Sequence, residues 1–177
     1  MLRITGGLLR GRRLEAPRGI RPTTELARKA AFDILGERVR GARVLDACAG
    51  SGAYGLEALS RGAAHATFVE VNREVARVLR GNVERLGASA ISIIEVTSVE
   101  RFSSSGRGET GALYDVVVHD PPFEGSSESD LSLLLALVAP GGWLLHERGD
   151  DRILAPSGVS PADVRRYGRT RFLIYRP

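Results

Sequence analysis

Cysteine, lysine, methionine and tryptophan each occur once in the 177 residues. A single cysteine, Cys48, excludes a disulfide framework and a multi-cysteine zinc site. No arrangement of His, Asp and Glu has the spacing of a metal site either. No apolar run approaches the roughly 18 residues that a membrane span needs, and the N-terminus has no signal-peptide pattern. These absences point to a cytoplasmic chain without membrane attachment. The scarcity of lysine is matched by an abundance of arginine: all 25 basic residues except Lys29 are Arg.

What is present describes one domain of ordinary size. Hydrophobic residues make up 43% and charged residues 26%, the balance of a globular chain long enough for a full core. Charge is spread unevenly. Residues 1–43 hold eleven Lys/Arg and four Asp/Glu, a net of +7, while the whole chain is +4 and the remainder about −3. A basic segment joined to a near-neutral body suggests a polyanionic partner, nucleic acid above all. Residues 1–22 read as a β-hairpin arm, with short alternating runs on either side of Gly6-Gly7-Leu8-Leu9-Arg10-Gly11-Arg12. Arg3, Arg10, Arg12 and Arg13 stud this arm, and guanidinium forks suit phosphate contacts. Residues 23–177 read as the main domain, opening with a helix over about Glu25–Leu35 that Thr24 caps and Gly36 stops.

The stretch that organises the main domain is Val44-Leu45-Asp46-Ala47-Cys48-Ala49-Gly50-Ser51-Gly52-Ala53-Tyr54-Gly55. It reads as a buried strand, a glycine turn, and a helix over about Ala53–Arg61. Gly50 and Gly52 let the backbone turn sharply and let a ligand approach without a Cβ in the way. Gly50-x-Gly52-x-x-Gly55 alone is the generic dinucleotide fingerprint and weak on its own. Two acids sharpen it. Asp46 lies where a pyrophosphate gains nothing from negative charge and a sulfonium or ammonium gains much. Glu70 ends the next strand, Ala66–Glu70, twenty residues after Gly50, where it can accept hydrogen bonds from a ribose diol. A cationic nucleoside with a free ribose is S-adenosylmethionine (SAM). The alternative is that Asp46 caps the turn and the glycines only pack helix on strand.

Beyond this point strands and helices alternate. Asn72 caps a helix over about Glu74–Leu86 with an apolar stripe of Val75, Val78, Leu79, Val83 and Leu86. A strand over Ile91–Val96, a short helix near Ser98–Phe102 and a strand over Asp115–His119 follow. Next come a helix over Asp130–Val138, a turn at Pro140-Gly141-Gly142 and a strand over Trp143–His146. The spacing predicts an α/β, Rossmann-like, doubly wound and mostly parallel sheet, with ligands at the carboxyl ends of its strands. Asp163–Tyr167 and Thr170–Arg176 are too close for a crossover, so they should pair antiparallel at one edge.

The strand Asp115–His119 ends in Asp120-Pro121-Pro122-Phe123. Two prolines stiffen the loop and turn its carbonyls outward. A carboxylate, a rigid carbonyl and an aromatic face make a holder for a planar amine, and acceptors on its two N–H groups raise its nucleophilicity. Phe123 can stack on the base. Cys48 has no general base beside it and reads as a packing residue, as do Tyr54 and Trp143; His65, His119 and His146 read as core or rim residues.

The resemblance that these stretches carry covers the chain nearly end to end. Arg3-Ile4-Thr5-Gly6-Gly7, Gly11-Arg12-Arg13-Leu14, Arg21-Pro22-Thr23, the run from Ala49 to Ala63, Asp120–Phe123 and Tyr167-Gly168-x-Thr170 resemble the bacterial 16S rRNA (guanine(966)-N(2))-methyltransferase family. That resemblance implies a SAM-dependent transfer to a guanine amine of 16S rRNA, in the 30S ribosomal subunit or its assembly intermediate; a monomer is expected. It implies SAM contacts from Asp46, Ala49, Gly50, Ser51, Gly52, Glu70, Val71 and Asp120, and guanine contacts from Asp120, Pro121, Pro122 and Phe123. Arg3, Arg10, Arg12, Arg13, Arg21 and Thr23 would grip the RNA. Val96-Thr97-Ser98 departs from the family pattern, which has an Asp or Asn for the adenine amine, so Thr97, Ser98 or a backbone group would serve there. The rivals are a DNA adenine-N6 methyltransferase, which lacks room here for a target-recognition region, a non-catalytic RNA-binding module, and an NAD-linked oxidoreductase.

Overall fold

The computed structural model describes residues 2–17, 19, 24–105, 113–122, 128–149 and 152–177. Seven strands form one sheet: β1 (Arg43–Ala47), β2 (His65–Val69), β3 (Ser92–Glu95), β4 (Tyr114–His119), β5 (Val138–Arg148), β6 (Asp163–Tyr167) and β7 (Thr170–Tyr175). Their order is β3-β2-β1-β4-β5-β7-β6. The first five run parallel, and β7 is antiparallel to both β5 and β6. The doubly wound sheet and its antiparallel terminal pair are therefore as the spacing predicts, with β6 on the rim and β7 inside it.

Helices cover both faces, which is why the central strands are apolar throughout. Val44, Val116, Val118, Leu145, Phe172 and Ile174 face α1 (Glu25–Leu35), α2 (Ala53–Ser60) and α3 (Arg73–Arg85). Leu45, Val117, Leu144, Leu173 and Tyr175 face α4 (Val99–Ser104) and α5 (Glu128–Leu135). The helix starts follow the local chemistry read from the sequence. The Thr24 hydroxyl accepts from Ala27 N–H, and the Asn72 side chain accepts from the N–H groups of Glu74 and Val75. Such caps satisfy donors that the first helical turn leaves open.

One expectation needs correction. Pro140-Gly141-Gly142 is not a turn before a short strand but part of β5, which starts at Val138. Val138 pairs with Tyr114, and the register shifts before Trp143 meets Val116. Gly141 at φ 77° and a Gly142 with no room for a side chain accommodate this irregularity. A bulge absorbs extra residues inside a ladder without ending it, and period-two patterning does not distinguish the two cases.

The N-terminal segment is a ribbon. Ile4 N–H donates to Arg12 C=O, Gly11 N–H to Ile4 C=O, and Leu14 N–H to Leu2 C=O. Leu2, Ile4 and Leu14 are buried with residues of α1, α2 and α3 in a single apolar cluster. The ribbon is thus a fourth layer over the helices, sharing their core.

Candidate cofactor and amine site

The strand order reverses direction between β1 and β4, which are direct neighbours. Ala47 pairs with His119, so the loop after β1 and the loop after β4 leave the sheet side by side. A crevice at such a reversal is where open α/β sheets receive ligands. The topology therefore brings together the two motifs that lie about seventy positions apart in sequence.

The loop after β1 turns through left-handed backbone at Cys48 (φ 65°), Gly50 (φ 56°) and Gly52 (φ 79°). Its glycines have different duties. A Cβ on Gly52 would lie 2.3 Å from Leu79 Cδ1, and one on Gly55 would lie 2.3 Å from Phe68 Cε1. These two let α2 close onto β2 and α3. A Cβ on Gly50 would meet nothing within 4 Å, so Gly50 is the glycine that borders open space. Ala49 donates its N–H to Val69 C=O, and Ser51 turns its carbonyl to the Asn82 amide.

Asp46 is 1% exposed. One carboxylate oxygen accepts from Gly55 N–H at 2.8 Å, so it caps the first turn of α2. Burial pushes its carboxyl well above the usual range, and the nearby charges of Asp120 and Glu70 push the same way. The cap that competed with the ligand reading is therefore present. The second oxygen sits in a negative neighbourhood that a cationic ligand would relieve. Glu70 accepts from Gly50 N–H at 2.9 Å and from Asn72 N–H at 2.8 Å. Two backbone donors fix its carboxylate and leave each oxygen a lone pair for a diol. Val71, beside it, is an exposed apolar residue. Thr97 N–H donates to Glu70 C=O, which keeps the loop after β3 next to this rim. Ser98 is occupied as the cap of α4, accepting from Arg101 N–H. Of the two candidates at that place, Thr97 keeps the freer side chain.

Asp120 and Pro121 are half-buried and Pro122 is exposed at the mouth of the crevice. Phe123, Arg21 and Thr23 lie outside the described residues. The carboxylate of Asp120 acts electrostatically on Asp46, Cys48, Tyr54 and Glu147, which places it at the centre of this end of the sheet. Cys48 is held protonated: burial, then Glu70, pushes its thiol up to about 12. His119 and His146 stack with ring centroids 4.9 Å apart, both fully buried on the face covered by α4 and α5.

The residues matched by the family described as Conserved hypothetical protein 95 run from 2 to 176. Ribosomal RNA small subunit methyltransferase D of Escherichia coli K12 is 39% identical over 149 residues, 82% of this chain and 71% of that one. The chain belongs to this family of SAM-dependent methyltransferases. A solved structure of a hypothetical protein from Thermus thermophilus is 34% identical with all of both chains covered and a TM-score of 0.87. A chain crystallised with S-adenosylhomocysteine shares the fold at 15% identity and a TM-score of 0.62, over 81% of this chain and 48% of that one.

In this family member the run from Leu56 to Gly62 proves to be the socket for the N-terminal ribbon. Glu57, fully buried, accepts from Thr5 N–H and from the Thr5 hydroxyl, both at 2.7 Å. Arg61 donates to the same carboxylate at 2.9 Å, and Arg28 Nε lies 3.9 Å away, buried. The Ser60 carbonyl accepts from Leu8 N–H, and its hydroxyl donates to Gly6 C=O. Gly7 has to be glycine here, since a Cβ would lie 1.9 Å from the Ser60 carbonyl oxygen. Farther along, Asn82 accepts from Glu15 N–H and donates to Glu15 C=O and Ser51 C=O. The sequence reading missed Glu57, Ser60 and Asn82. A polar residue inside an apolar helical stripe was the available signal. Arg10, Arg12 and Arg13 are exposed, with Arg12 also donating to Arg85 C=O at 3.3 Å; Arg3 is half-buried, its carbonyl accepting from Arg28.

Proposed function

We propose that this protein transfers a methyl group from SAM to the exocyclic N2 amine of a guanine in 16S rRNA, on the 30S subunit or its assembly intermediate. The observation that carries this reading is the shared crevice of the glycine loop and the Asp120-Pro121-Pro122 loop. The name of the Escherichia coli relative supports an rRNA of the small subunit as the substrate. The amine itself rests on the Asp-Pro-Pro-Phe chemistry.

The residues present fit SAM. Gly50 borders open space, Glu70 has oxygens free for a ribose diol, and Asp46 lies beside two further acids, Asp120 and Glu70. Val71 and Thr97 would flank the adenine. When bound, SAM supplies a methyl group activated by a sulfonium. The protein's part is to hold the amine and raise its nucleophilicity. Asp120 and the Pro121 carbonyl would accept the two amine protons, favouring a pyramidal nitrogen and opposing the positive charge that gathers on it. Phe123 would stack on the guanine. Arg10, Arg12 and Arg13, with Arg3 and with Arg21 and Thr23 of the N-terminal sequence, would grip phosphate. A DNA adenine-N6 enzyme would need the same loop, but the arm and the relatives favour RNA.

Single-turnover methylation of 30S particles lacking the modification tests the reading. Asp120→Ala should slow transfer by roughly 10²–10⁴-fold, the scale for losing an acid–base or charge-stabilising group, with SAM affinity nearly unchanged. Asp120→Asn keeps an acceptor and should retain more activity. Wild-type rates in both would remove the loop from the mechanism.

A further inference from the structure

Glu147 is a half-buried carboxylate that the proposed chemistry has not used. It follows His146 in β5 as Asp120 follows His119 in β4, and His119 pairs with His146. The two acids therefore leave adjacent parallel strands at the same level, on the face that also carries Asp46, with strands about 4.8 Å apart. Glu147 is also anchored from two distant elements. Tyr54 on α2 donates its hydroxyl to Oε2, and Thr170 on β7 donates its own to Oε1 at 3.3 Å. Thr170 closes the Tyr167-Gly168-x-Thr170 motif, so this contact gives that motif a task. Tyr54 is more than a packing residue for the same reason.

Methyl transfer to an amine leaves a proton to be disposed of. The nitrogen lone pair forms the new C–N bond, the C–S bond breaks with its pair going to sulfur, and one N–H proton must leave. Asp120, as the acceptor of that N–H, is the first base in reach. An Asp120 left protonated would lose the charge that makes it useful for the next turnover.

We propose that Glu147, held by Tyr54 and Thr170, is the positioning and relay residue that takes this proton from Asp120 and returns it to solvent. The proposal rests on the methyltransferase reading of the Asp120 loop. The groups facing Glu147 are Asp120 from β4, Tyr54 from α2, Thr170 from β7 and Arg28 from α1, with Asp46 behind Tyr54 and Asp120. Burial, then repulsion from Asp120, pushes the Glu147 carboxyl up to about 7. The two hydroxyl donors and Arg28 pull the other way, less strongly. A base with that affinity is matched to proton transfer at neutral pH. Only its ionised form can accept, so transfer should quicken as pH rises through about 7.

Multiple-turnover methylation of unmodified 30S particles in excess over the protein, followed from about pH 5.5 to 8.5 at saturating SAM, tests this, because the relay resets Asp120 between turnovers. Wild type should show a rise with its midpoint near 7. Glu147→Gln should lose that rise and run roughly 10–100-fold slower at the alkaline end, near or below the usual scale for an acid–base group, with SAM affinity retained by calorimetry. Glu147→Asp should restore part of the rise. Tyr54→Phe removes a donor to the ionised form, so its midpoint should move to higher pH. A second readout needs no substrate. A carboxyl whose affinity for protons is raised on folding makes the folded state less stable as pH rises from its unfolded value near 4.5 to about 7. The unfolding free energy of Glu147→Gln should lack that decline relative to wild type. An unchanged pH profile in Glu147→Gln, or an unmoved midpoint in Tyr54→Phe, overturns the relay. If Asp120→Ala also methylates at the wild-type rate, the Asp120 reading fails; if Asp120→Ala is slow while Glu147→Gln is normal, only the relay fails.

Discussion

Gly50 and Gly52 share a left-handed backbone but answer to different constraints, and substitution separates them. Alanine at either position meets a conformational penalty of about 1–2 kcal/mol. At Gly52 the new methyl also runs into Leu79, fully buried, and overpacking of this kind costs about 1–3 kcal/mol more. Gly52→Ala should therefore lower the urea midpoint clearly more than Gly50→Ala. Gly50→Ala should instead show its larger effect in SAM calorimetry, since its methyl would occupy the space that borders the crevice. Equal destabilisation with unimpaired SAM binding in both would mean the ligand does not pass Gly50.

Much at this scale was legible beforehand. Glycine and acid spacing pointed to Asp46, Gly50 and Glu70 as candidates, two prolines after an apolar strand pointed to Asp120, and the strand pairing brings these loops to one end of the sheet. What stayed hidden were duties that depend on a distant partner. Asp46 was readable as an acid in a turn, but its cap on Gly55 belongs to geometry. Glu147 sits in an ordinary strand run, and Tyr54, ninety-three positions away, leaves no local trace of the contact.

At the scale of the element, the N-terminal ribbon combines two functions with separate residues. Its inner side is anchored through Glu57, which Arg28 and Arg61 share. Glu57→Ala would take the carboxylate away from a fully buried guanidinium and should cost about 3–5 kcal/mol, the penalty for breaking a buried pair, read by denaturant unfolding. Its outer side carries exposed arginines. Changing Arg10, Arg12 and Arg13 to Gln should weaken RNA binding and flatten its salt dependence by about 0.7–0.9 in slope for each phosphate no longer neutralised, while SAM affinity and the urea midpoint hold. An unaltered salt slope would leave the ribbon with its structural task alone. The hairpin and its charge were readable from alternation and composition. Its socket was not: Glu57 and Ser60 stand out as polar residues among the small and apolar residues of α2, but that pattern does not say which distant strand they hold.

At the scale of the whole molecule, the buried histidine pair predicts a loss of stability on the acid side. Both ring nitrogens of His119 lack a hydrogen-bond partner among the described residues, and it is fully buried. Burial, with His146 and Arg148 adding, holds its affinity for protons well below the ordinary 6.5. The unfolded chain then binds a proton that the folded chain refuses. Stability from this group is present above pH 6.5 and is lost as pH falls below it. His119→Phe should flatten that acid-side decline when unfolding free energy is followed from about pH 7.5 to 5. An identical slope in wild type and variant would place the proton uptake elsewhere. No helix among the described residues is long and apolar enough to cross a membrane.

The sheet's order also governs when its parts can assemble. β6 precedes β7 in the chain, yet its only sheet neighbour among the described residues is β7, which must first pair with β5. During synthesis β6 emerges as an edge with nowhere to attach, and its side chains remain half-buried or exposed even in the finished fold. β7 brings Phe172, Leu173, Ile174 and Tyr175, all fully buried. Closure of this side of the sheet is thus a late event, triggered by the second strand of the pair. A nascent chain halted at Gly168 should hold β1 to β5 with an unsealed flank, open to proteolysis along β5 until the next few residues are made.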